Sequence, residues 1–147
     1  MASRRRARQR ALQVLFLWDV RRPAVEDALN QYYDALYSEE RPQRDPFVED
    51  LVRGTADHIA ELDQRISHHA EHWRIDRMPA VDRNILRLAV YEMTRGGTPA
   101  PVAIDEALEL ARKFSNEESV QFVNGVLDAV RRDLPASTSG NESPAAP

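Results

Sequence analysis

The sequence has no cysteine, which excludes disulfides, thiolate nucleophiles and cysteine-ligated metal together. Long apolar runs are missing too. The longest, Val14 to Trp18, falls far short of the roughly 20 residues that a membrane-crossing helix needs, and no apolar stretch with a small-residue cleavage pattern follows the basic N-terminus. Both absences lead to the expectation of a cytoplasmic protein. Strand-like alternation of apolar and polar residues never persists beyond a few positions, and neither a glycine-rich phosphate loop nor a nucleophile motif occurs. The expectation is an all-α protein that is not an enzyme and uses no cofactor or metal.

What is present fits that class. A chain of 147 residues, 42% hydrophobic and 30% charged, has room for one domain or two small subdomains sharing a core. The net charge of −4 averages over an uneven chain. Residues 1–22 hold Arg4, Arg5, Arg6, Arg8, Arg10, Arg21 and Arg22 against one acid, Asp19, leaving 13 basic and 23 acidic residues for the remainder. An arginine-rich head on an acidic body suits phosphates at one end and a basic protein elsewhere.

Apolar residues recur at intervals of three and four, which predicts helices over about Arg4–Val20, Ala24–Tyr37 and Pro46–Glu61, with a short fourth through Leu62, Ile66 and His69. After a connector from Trp73 to Pro79, a largely apolar fifth helix runs to the Gly96-Gly97 pair, and a sixth runs from Pro99 to Phe114. Ser115 and Glu118 have the spacing of a capping box for a seventh helix ending near Leu134. The composition of 135–147 predicts a disordered tail.

On the first helix, at about 100° per residue, Ala7, Ala11, Val14 and Trp18 form an inward stripe. Phe16 falls nearly opposite, flanked by Arg5, Gln9 and Gln13. An exposed ring among guanidinium and amide groups offers unpaired RNA bases a stacking face, charge for phosphates and amides for base edges, whereas a Phe16 packed on a neighbouring helix would be simple core. His68 and His72 lie one turn apart, but His69 occupies the place where a zinc protease motif needs Glu, so these are expected to be surface histidines. Asp105, Glu106 and Glu109 suit the positive end of the sixth helix rather than acid–base chemistry.

Three stretches converge on one family. RRRARQRALQVLF (4–16), DRNILRLAVYE (82–92), and PVAIDEALELARKF (101–114) followed by FVNGVLD (122–128) together resemble the NusB transcription antitermination factors. The resemblance implies two small bundles packed across each other, about 1–61 and 62–134. It also implies binding of the boxA element of ribosomal RNA leaders together with NusE, a small-subunit ribosomal protein, within the RNA polymerase antitermination complex. Some members of the family form homodimers in which the RNA surface is partly covered.

Position by position, the implied RNA-facing residues are Arg5, Arg6, Arg8, Gln13 and Phe16 on the first helix, Arg87 on the fifth, and Glu118, Ser119, Gln121 and Phe122 on the seventh. Asp76 and Asp82 are implied to face NusE, where acids would speed and orient docking of a basic partner. Asn124 and Gly125 are expected to be structural, the amide satisfying backbone groups and the glycine allowing close helix approach. Two other readings remain: an accessory domain related to ribosomal RNA cytosine methyltransferases, and a helix-turn-helix regulator, for which the later helices are too acidic or apolar.

Overall fold

A computed structural model of the chain describes residues 3–35, 43–70 and 74–135. Among these residues there are seven α-helices and one 3₁₀ turn, and no strand: α1 (Arg4–Arg21), α2 (Val25–Ala35), α3 (Pro46–Asp57), α4 (Ile59–His69), the turn Ile75–Arg77, α5 (Ala80–Thr94), α6 (Ala100–Phe114) and α7 (Glu117–Asp133). Leu36 and Tyr37, His72, Trp73, and 136–147 of the expected tail lie outside the described residues.

Local chemistry sets the ends. The Ser3 hydroxyl accepts from the Arg6 amide at 3.0 Å and starts α1. Arg22 stops it in a left-handed conformation (φ 53°), its N–H returning to the Trp18 carbonyl. Asp45 caps α3 through the Phe47 amide, with Pro46 in the first turn. Helix α5 closes with Gly97 at φ 77° and the Thr98 N–H on the Glu92 carbonyl.

Two expectations about helix ends are corrected. The third helix ends at Asp57, not Glu61, because the chain breaks at His58 (φ −112°, ψ 23°), whose N–H points back to the Gly54 and Thr55 carbonyls. Apolar spacing runs through this break without a phase change, so periodicity does not reveal it. The seventh helix is capped by Asn116, whose Oδ1 accepts from the Ser119 amide at 2.9 Å. Ser115 is unavailable for a capping box because its hydroxyl lies 2.7 Å from Ser119 Oγ and 3.3 Å from Asp82 Oδ1.

The buried apolar residues of all seven helices form one continuous cluster. Helix α5 is central: it packs against α1, α3, α4, α6 and α7, and every residue from Asn84 to Met93 is buried. Helix α1 lies on α2, α3 and α5, burying Ala7, Ala11, Leu12, Val14, Leu15 and Trp18. Phe16, Leu17 and Val20 remain exposed, an unusual set for a helix that already buries so much. The fold therefore holds α1 rigidly while presenting an apolar ridge outward.

Candidate nucleic-acid interface

Phe16 is 41% exposed and Leu17 42%. They border an apolar groove of about 390 Å³ whose other walls are Leu12, Gln13, Tyr32, Val81 and Phe114. The Tyr32 hydroxyl donates to Gln13 Oε1 at 2.7 Å, which orients the Gln13 amide and leaves its NH₂ group to donate. An exposed ring beside a fixed amide donor is the arrangement that stacks an unpaired base and reads its edge.

A second, more polar groove of about 530 Å³ is lined by Met78, Pro79, Asp82, Asn116, Glu118, Ser119, Gln121 and Phe122. The two grooves flank the start of α5 and the α6–α7 turn, with Val81 and Phe114 lining the first and Asp82 and Asn116 the second. The first groove thus carries Gln13 and Phe16 of α1, and the second carries the candidate residues of α7. Glu118 and Gln121 are exposed, Phe122 is half-buried, and Ser119 is buried with its hydroxyl donating to Asp82 Oδ2 at 2.9 Å.

The arginine-rich head divides into different environments. Arg5 and Arg6 are exposed. Arg5 makes a two-pronged pair with Glu106 at 3.0 and 3.2 Å, while Arg6 and Arg10 have no ion pair among the described residues. Arg4 stacks on Phe47, 4.0 Å from the ring centre. Arg8 does not face outward: it is buried, with Nε and Nη2 each 2.8 Å from the Glu92 carboxylate and Nη1 3.9 Å from Glu106. The Thr98 hydroxyl donates to Glu92 Oε1 at 2.8 Å, so this carboxylate is met from two sides. Helical geometry explains Arg8, because it shares a face with Ala11, Leu12 and Leu15.

Arg87 is buried as well. It pairs with Asp63 at 2.7 and 2.9 Å and with Asp19 at 3.1 Å, and donates to Asn84 Oδ1. Burial alone would raise the Asp19 carboxyl, but the guanidinium groups of Arg83 and Arg87 outweigh it and hold the carboxyl down at about 2. Arg83 also donates to the Ile75 and Met78 carbonyls, tying the connector to α5. The network fixes α1, α4 and α5 to one another beneath the exposed surface.

Of the two acids implied to meet a protein partner, Asp76 is exposed, with Arg74 3.4 Å away, and Asp82 is buried, accepting from Ser119 and, more distantly, Ser115. In the free protein Asp82 is therefore an internal anchor between α5 and the α6–α7 turn. Gly125 and Asn124 are exposed, and a Cβ at Gly125 would meet nothing within 4 Å, so close helix approach does not explain this glycine. The glycine that does allow close approach is Gly54, where a Cβ would overlap the Tyr91 ring.

Tyr32, Val81, Phe114 and Asn116 complete the grooves and were not singled out by sequence. Each looks like ordinary core or capping on its own helix, and only tertiary packing gathers them. His68, His69 and Asp133 place potential ligand atoms within 4.8 Å of one another, but His69 Nε2 already lies 2.9 Å from Asp133 Oδ2, which accounts for the cluster as a surface pair. No described helix is long and apolar enough to cross a membrane.

Comparison with known proteins agrees with this architecture. The NusB family model matches residues 5–132. The transcription antitermination protein NusB of Solibacter usitatus is 82% identical over 92% of each chain. That of Bacillus subtilis is 44% identical over 92% of this chain and 99% of its own. Among solved structures, T. maritima NusB superposes with a TM-score of 0.80 at 34% identity, covering 93% of this chain and 96% of that one. A chain from a complex of the antitermination factors NusB and NusE with double-stranded RNA gives 0.78 at 30% identity, covering 89% and 97%. With a family match spanning nearly all of its helical body, the chain belongs to the NusB family.

Proposed function

We propose that the chain is a transcription antitermination factor that binds boxA-type RNA of ribosomal RNA leaders together with the ribosomal protein NusE. It acts in the cytoplasm, as part of the RNA polymerase antitermination complex. The observation that carries the RNA reading is the outward-facing Phe16 ring beside the oriented Gln13 amide, on the helix that also carries Arg5 and Arg6.

In this reading Phe16 stacks a base, Gln13 donates to a base edge, and Arg5 and Arg6 meet phosphates. Glu118, Gln121 and Phe122 line the continuation of the RNA path in the second groove. Arg8, Arg87, Ser119 and Asp82 act from inside, by fixing the helices that carry the contacts. Asp76, exposed on the connector, faces the basic NusE. The chain forms two small bundles, about 1–61 and 62–134, that share one core, and a homodimer would cover the Phe16–Leu17 ridge and compete with RNA.

A fluorescence-anisotropy titration of a boxA-type RNA against a scrambled RNA, with and without NusE, tests the reading. Preferential binding of the boxA-type RNA, tightened by NusE, is expected. Equal affinity for the two RNAs under both conditions would contradict it.

A further inference from the structure

We propose that Glu106 restrains the RNA affinity of the α1 surface, by holding Arg5 in an internal ion pair that competes with an RNA phosphate for the guanidinium. The inference rests on the RNA-binding reading above and concerns the free state of that same surface.

The two partners are unequal. The Glu106 side chain is 16% exposed, whereas that of Arg5 is 57% exposed. The carboxylate is thus the fixed member and the guanidinium the movable one. Both prongs are formed, Nε to Oε1 at 3.2 Å and Nη2 to Oε2 at 3.0 Å, so one two-pronged edge of the guanidinium is occupied and only Nη1 and the second Nη2 hydrogen are left to meet a phosphate. Arg8 stands 3.9 Å from Glu106 but is committed to Glu92, so it does not substitute for Arg5 at Glu106. The hydrogen bond from Arg5 holds the Glu106 carboxyl below its usual range. Glu109, the next acid along α6, adds attraction for Arg5 but pairs with Arg112.

An RNA held only by phosphate contacts gains one arginine contact and loses one ion pair, and it also meets the negative charge left at Glu106. An RNA that additionally stacks on Phe16 and bonds Gln13 bears the same cost and binds more tightly only through its bases. Glu106 therefore lowers the affinity of either RNA through its phosphate contacts, without setting which of them is preferred.

The test compares wild type with Glu106→Gln, which keeps shape but removes charge, by anisotropy titration over a salt series. The probes are a boxA-type RNA and an unrelated single-stranded RNA of equal length. For Glu106→Gln, affinity for both RNAs should rise by up to about fivefold. The salt dependence for the unrelated RNA should steepen by about 0.7 in log–log slope, one phosphate contact. Arg5→Gln should cost affinity for both RNAs, and in that background Glu106→Gln should no longer steepen the salt dependence. Glu109→Gln reports the effect of net charge alone and should change little. No gain, or a loss, in Glu106→Gln would overturn the proposal while leaving the RNA reading intact. A wild-type protein that binds neither RNA would overturn both.

Discussion

Arg8 and Phe16 lie eight residues apart on one helix, and their environments are the reverse of what charge and hydrophobicity suggest. The aromatic is 41% exposed and the arginine 7%. The position of Phe16 is legible in the sequence, since it falls opposite the Ala7, Ala11, Val14 and Trp18 stripe. That of Arg8 is not, because the carboxylate that makes its burial tolerable, Glu92, is 84 residues away. Removing one member of such a pair strands the other in a poor solvent. Arg8→Ala should therefore lower stability by about 3 kcal/mol, and adding Glu92→Gln should restore part of that loss. Denaturant titrations check this; a small stability change with a large loss of RNA affinity would show that Arg8 reaches the ligand. The same logic separates Asp76, exposed as the family resemblance implies, from Asp82, whose serine partners on the α6–α7 turn no spacing rule discloses.

At the scale of elements, helix number and order are legible because each helix buries a stripe with three- and four-residue spacing. Helix junctions are less so: the His58 break keeps the apolar phase, and the choice of Asn116 over Ser115 as cap depends on Asp82, which recruits Ser115 from across the turn. Two glycines make the element-level account testable with opposite signs. A Cβ at Gly54 would lie 2.1 Å from Tyr91 Cζ, where α3 meets α5, so Gly54→Ala should destabilise by about 1–3 kcal/mol through forced repacking. Gly125 sits inside α7 with open space around its Cα, and Gly125→Ala should stabilise by about 0.5–1 kcal/mol through helix propensity. Thermal melts of both variants decide; equal effects would mean that the α3–α5 contact is not as close as described.

For the whole molecule, the Asp19–Arg83–Arg87–Asp63 network joins α1, α4 and α5, and its acid sensitivity has a definite sign. The folded Asp19 carboxyl sits at about 2, below the value of about 3.8 it has when free, so its contribution is complete above about pH 4 and is lost as the pH falls toward 2. Asp19→Asn should cost roughly 2 kcal/mol at pH 7, and the gap to wild type should close across that window; a gap independent of pH would mean that the charge is not what matters. That buried frame underlies the proposal that the outer side of α1 is a rigid RNA platform. Its most direct measurement is the RNA affinity of Phe16→Ala beside its melting temperature. The expected result is a loss of about 1–3 kcal/mol in boxA-type RNA binding with the melting temperature nearly unchanged. A large fall in melting temperature with RNA affinity intact would contradict it, showing Phe16 to be part of the core and the platform to lie elsewhere.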